Sequence, residues 1–178
     1  MGQSSTTGIV EKDLKAFTEK IFSPDPLTMV VKAHLYIESA LVALIQVYME
    51  HDVLETDRLS FRSKVQLCIG LGLLDASEEN VLNSLNLIRN RFVHNLDVKL
   101  ERKDAYKLMN ALKVEERQQV NASLTVLGIK ESTHMETIAV VFIVLYAKLI
   151  SLARGLELLR KEGLTKDEII KRLREIKP

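Results

Sequence analysis

Residues 27–50 read LTMVVKAHLYIESALVALIQVYME, and this stretch decides the fold class. Val30, Val31, Leu35, Ile37, Leu41, Val42, Leu44, Ile45 and Val47 fall on nearly every side of a helix. An element that is apolar all round is expected at the centre of a core. Upstream, Ser23-Pro24-Asp25-Pro26 fences it off, because proline cannot continue a helix and restrains the residue before it. Downstream, the polar stretch from His51 to Arg58 reads as a loop.

Working outward, the remaining segments also read as helices. A first helix is expected over residues 8–22 and a third over 59–71, stopped by Gly70 and Gly72. Asp75 with Glu78 three residues later has the form of a capping box opening a fourth helix, 77–94. Asp104 to Leu112 and Val114 to Leu127 form two shorter helices broken near Lys113. His134 to Lys161 is a second long helix, ended by Gly163. Thr165 with Glu168 opens a last helix, 165–177, whose apolar face carries Ile169, Leu173 and Ile176. The sum is one all-α domain over residues 1–178. It is an antiparallel helical bundle with its core at about 8–162 and a C-terminal helical extension.

Composition agrees. With 7 Gly, 3 Pro, no Trp and 5% aromatics, the chain lacks the turn residues and β-formers of a many-stranded fold. Its 47% apolar and 28% charged residues suit a packed domain rather than a disordered one. Net charge is +1, so any nucleic-acid or membrane partner has to be met by a local patch. The basic residues of the C-terminal stretch, Arg160 to Lys177, are offset by Glu162, Asp167, Glu168 and Glu175 and read as a solvated face. The longest apolar run, Ile138 to Ala147, is short for a bilayer and is closed by Lys148, so no membrane partner is expected. Met1-Gly2-Gln3-Ser4-Ser5-Thr6 fits a myristoylation pattern too short to carry weight, and no signal-peptide pattern is present. The single cysteine, Cys68, lies in the apolar run Val65 to Ile69 and reads as a core thiol in a reducing, cytoplasmic setting. His34, His51, His94 and His134 are scattered, so neither a metal nor a cofactor is implied.

The chemically loaded segment is Arg89-Asn90-Arg91-Phe92-Val93-His94, at the end of the fourth helix. On a helical wheel Val81, Leu85, Ile88 and Phe92, flanked by Leu82 and Val93, form a core stripe. Asn83, Asn86, Asn90 and His94 form a polar strip opposite, with Arg89 between the two. Solvated faces usually carry Glu and Lys, which are better helix formers, so a row of asparagines suits hydrogen bonding to a partner or ligand. A histidine titrates near neutral pH and can take a proton from a ribose 2′-hydroxyl or give one to a leaving 5′-oxygen. A guanidinium can hold a phosphate and stabilise the charge of its transition state. Arg89 and His94 diverge by about 140° on an ideal helix. They converge only if the helix frays at Val93-His94, if the arginine reaches around, or if a second copy of the chain completes the site. Glu38, mid-helix among apolar residues, needs a partner: either Arg89, or one of Lys64, Arg62 and His34.

Arg89, Asn90 and His94 match the Arg-Asn-x-x-x-His form of the R-x(4–6)-H motif, and here the chain resembles the HEPN superfamily of helical bundles. His34 to Glu38, Leu59 to Val65 and Leu71 to Leu74 are similar to a branch that includes the mannitol-repressor-like group, so the resemblance covers roughly residues 27–100. It implies Arg89 and His94 as a ribonuclease pair assisted by Asn90; on the reading of the residues themselves, Glu38, as a partner of Arg89, and Asn86 of the polar strip are expected in support. It also implies RNA as partner, a homodimer with both motifs lining one cleft, and a metal-independent reaction. Some members are toxins or antiviral nucleases held by an antitoxin or other protein partner, and others bind RNA, nucleotide or protein without cutting. Toxins silenced by a nucleotidyltransferase usually carry a tyrosine two residues after the histidine; this chain has Leu96 there.

Overall fold

Ile138, Ala139, Val140, Val141 and Phe142 are consecutive, and none is more than 1% exposed. Five residues exceed one helical turn, so at this point the helix is enclosed on all sides. The computed structural model that shows this describes residues 14–49, 55–95 and 97–176, with side chains as far as 173. The expected features at residues 1–13, at Leu96 and at the side chain of Ile176 lie outside the described residues.

The described residues form α1 (14–21), α2 (Pro26–Met49), α3 (Phe61–Gly70), α4 (Glu79–His94), α5 (Arg102–Ala111), α6 (Val114–Val126), α7 (His134–Lys161) and α8 (Lys166–Ile176). Short 3-10 turns, Thr56–Arg58 and Ala76–Glu78, lead towards α3 and α4. No strand occurs among the described residues, and the chain is an all-α bundle as expected. α2 packs most extensively on α7, with α3 and α4 on α2, and α5, α6 and α8 on α7.

Helix direction follows connection length. Where a short link joins neighbours they double back: the start of α4 meets the end of α5 (Glu78 near Lys113), and the end of α4 meets the start of α5 (Arg91 to Asp104). Longer connections allow the same direction. α2 and α3 run together, pairing His34 with Phe61, Glu38 with Lys64 and the Leu41 carbonyl with Cys68. α2 and α7 do the same, with Tyr36 beside Tyr146 and the Arg160 guanidinium donating to the Val47 carbonyl at 2.7 Å. Phe17 of α1 seats its ring 5.0 Å from Tyr36 and 4.4 Å from Tyr146, closing that seam.

Residues 27–50 are therefore not the fully enclosed element. α2 buries Val30, Ile37, Leu41, Leu44 and Ile45 but leaves Lys32, Ser39 and Gln46 in solvent, with Leu35 at 56% exposure. The centre belongs to α7. α2 and α7, at 24 and 28 residues, are long and apolar enough to cross a membrane by length and composition alone.

Several helix ends match their local signals. Thr133 and Glu136 exchange capping bonds at the start of α7, as do Thr165 and Glu168 before α8. Gly72 and Gly163 take positive φ past the ends of α3 and α7, where a side chain would be strained. The Asp75–Glu78 capping box does not form: Asp75 makes no side-chain cap, and α4 begins only at Glu79 after a 3-10 turn. Both carboxylates are drawn to distant lysines instead. Lys113 pairs with Asp75, while Lys148 bridges Glu78 at 2.7 Å and Glu116 at 2.6 Å. Glu116 also accepts from the Lys113 backbone N–H, which caps α6. This knot ties the start of α4 to α6 and the middle of α7. Cys68 is fully buried beside it, and burial, with the negative charge of Glu78, pushes its thiol up to about 12.

Candidate functional site

α4 carries the site, and its core stripe forms as the wheel requires: Val81, Leu82, Leu85, Ile88 and Phe92 are buried. Val93 departs from that expectation. It is 51% exposed. Asn83, Asn86 and Asn90 are half-buried and His94 is exposed, while Leu87 projects among them at 65% exposure. The row is thus not a purely solvated polar strip.

Asn86 turns towards α2, and its Oδ1 lies 3.1 Å from Nε2 of buried His34. The opposite ring nitrogen, Nδ1, has no hydrogen-bond partner and sits 3.6 Å from a Glu38 oxygen. Burial holds the His34 imidazole below its ordinary pKa. The Asn86 hydrogen bond and the Glu38 carboxylate pull the other way, whereas the charges of Arg89 and Lys64 add to the lowering. Phe61 closes the pocket with its ring 4.4 Å from the imidazole.

Glu38 takes Lys64 as its partner: Nζ donates to Oε1 at 2.6 Å, and Lys64 is only 4% exposed. The supporting role expected from a Glu38–Arg89 pair is not what the side chains adopt, because a buried ammonium in parallel α3 outcompetes a guanidinium at the rim. Arg89 is half-buried and donates from Nη1 to Asn90 Oδ1 at 3.1 Å. Asn90 thereby orients the guanidinium rather than an imidazole.

His94 is the last residue of α4. The helix does not fray there: Asn95 turns extended at φ −151°, and its N–H still bonds the Arg91 carbonyl. Within one chain no hydrogen bond or ion pair joins Arg89 to His94 among the described residues. Arg89 faces the α2 side, and its near neighbour Arg91 faces α5, with Nη2 2.8 Å from Asp104 Oδ2. Three residues separate Arg91 from His94, so the histidine leans towards the α5 side. Asp104 is buried and also accepts the Glu101 N–H that caps α5. The motif's two ends therefore belong to different flanks of α4.

Comparisons with protein-family models, curated proteins and solved structures give no match to this chain.

Sequence reasoning missed three participants. His34 was weighed only as a neighbour of Glu38, although its position on α2 brings it against Asn86. Arg91 pairs with Asp104, and its signal in the sequence is the three-position spacing to His94. Asp104 is readable as the first-turn acid of a Glu101-x-x-Asp104 cap, but its ion pair with α4 is not. No group of three or more His, Cys, Asp or Glu side chains capable of holding a metal occurs among the described residues.

Proposed function

We propose that the chain is a cytoplasmic, metal-independent endoribonuclease of the HEPN type, completed by a second copy of itself. The observation that carries this reading is the end of α4: exposed His94 one turn beyond Asn90, which holds the Arg89 guanidinium at 3.1 Å. In the reaction, neutral His94 takes the proton of a ribose 2′-hydroxyl. The 2′-oxygen bonds to the adjacent phosphorus as the bond to the 5′-oxygen breaks, the His94 imidazolium returns its proton to that leaving oxygen, and the products carry 2′,3′-cyclic phosphate and 5′-hydroxyl ends. An arginine stabilises the extra negative charge on the phosphoryl oxygens. Because Arg89 and His94 diverge on one helix, the guanidinium that meets a given His94 comes from the partner copy. A nuclease of this kind would act as a toxin or antiviral effector restrained by a protein partner.

The divergence also favours a second reading, a non-catalytic module that binds RNA, nucleotide or protein through the same surface. One experiment separates the two. RNA is incubated in chelator with wild type, Arg89→Ala and His94→Ala, end groups are analysed, and sedimentation gives the mass. Cleavage to cyclic phosphate ends by a species of about twice the 20.2 kDa chain mass, lost in folded His94→Ala, is the expected result. Cleavage that survives in His94→Ala, or that requires Mg²⁺, removes the catalytic reading.

A further inference from the structure

The outward side of α5 combines an exposed aromatic ring with basic side chains. Asp104, Ala105 and Leu108 turn inward, which leaves Arg102, Lys103, Tyr106 and Lys107 in solvent. Tyr106 is 70% exposed, and among the described residues its hydroxyl and ring have no partner. An aromatic ring held in water between cations gains nothing for the fold, since burial of its surface is what an aromatic side chain contributes to stability. Lys103 does pair with Glu101 at 2.8 Å, but both groups are more than half exposed, so that contact is weak and readily exchanged.

We propose that this face of α5 binds single-stranded RNA, with a base stacked on Tyr106 and the phosphates on either side of it met by Arg102, Lys103 and Lys107. Three cations around one exposed ring is the combination such strands require, because the backbone is drawn by charge and each base offers a π-face. Tyr106 lies one turn beyond Arg102–Lys103 in the first half of α5. The Arg91–Asp104 pair fixes that first turn beside the end of α4, where His94 emerges. A strand followed along α5 to its first turn arrives beside the end of α4 that carries His94. This rests on RNA being the substrate, and it names the part of the chain that holds the strand rather than the part that cuts it.

The test measures binding of a labelled 20-nucleotide oligouridylate by fluorescence anisotropy, in chelator and at several salt concentrations. The chain carries His94→Ala so that the probe stays intact. Stacking tolerates any base, so an arbitrary sequence suffices. Tyr106→Ala should weaken binding about tenfold and Tyr106→Phe should restore it, at the stacking strength usual for one base. Lys103→Gln with Lys107→Gln should weaken binding and flatten its salt dependence by about one to two counterions. All of these residues are exposed, so the variants keep the wild-type melting temperature. Affinity unchanged in Tyr106→Ala overturns the proposal and leaves the face to a protein. No binding of the probe by the parent chain overturns it as well. Tyr106-dependent binding by a chain that never cleaves RNA upholds this proposal while removing the catalytic one.

Discussion

The two ends of α4 treat their polar groups in opposite ways. At the first, Glu78 is 4% exposed and shares Lys148 with Glu116, while Lys113 joins from the side. At the second, among the described residues, His94 is exposed and unpaired, and the Arg89 guanidinium hydrogen-bonds the amide of its own neighbour. A buried charge has to be partnered within the chain, or folding loses several kcal/mol. An exposed charge is partnered by water until something else arrives. The first end is therefore closed by ion pairs within the chain, whereas at the second only Arg91 is tied, to Asp104, and His94 stays open to solvent. Between them, the His34–Asn86–Glu38–Lys64 cluster is partnered except at one imidazole nitrogen.

The largest effect expected from this contrast is at Lys148. Lys148→Ala removes the close ammonium from two buried carboxylates at once, leaving Glu78 with Lys113 at 3.6 Å and Glu116 with the Lys113 N–H, and should cost about 3–5 kcal/mol in urea unfolding. A loss below about 1 kcal/mol would mean that the two carboxylates find water or another cation, and the contrast between the ends would fail. Glu38 comes next. Glu38→Ala leaves the Lys64 ammonium buried without its partner and should cost about 2–3 kcal/mol, the lower end because Glu38 is a quarter exposed. Glu38→Gln should lose less, since an amide oxygen still accepts from Nζ. If Glu38→Ala instead leaves the melting temperature unchanged, the central cluster is incidental to stability.

The smallest effect concerns pH. His34 titrates below its ordinary 6.5 in the folded chain, so the unfolded chain binds more protons just below that pH. Its contribution to stability is full above pH 6.5 and is lost as pH falls through the lower, folded value. Asp25, Glu136, Glu157 and Glu168 are held below their ordinary 3.8 or 4.5, so their losses begin further down. Urea midpoints should therefore slip between pH 7 and 5 in the wild type and stay level in His34→Gln. An equal slope in both would assign the change to other groups.

What was legible in the sequence was whatever a chain can announce within one turn. The start of α7 at His134 and the break at Lys113 are fixed by caps formed three residues apart, and both lay where the pattern put them. The core stripe of α4 was equally plain, except at Val93, which is exposed. Long-range choices were not visible. Asp75 and Glu78 have the spacing of a capping box, yet lysines 38 and 70 residues away along the chain hold them. Glu38 had several candidate partners, and the parallel course of α2 and α3 selected Lys64. The motif residues Arg89, Asn90 and His94 were found by type and spacing, but which flank each would face depended on α2 and α5.

Cys68 turns the same packing into a chemical silence. Burial pushes this thiol up to about 12, which keeps it protonated near neutral pH, and thiolate is the reactive form. Oxidants and alkylating agents therefore find no foothold while the seam between α2 and α3 stays shut. The one sulfhydryl of this chain responds only when that seam parts, so each covalent mark it acquires dates a breathing event of the interior.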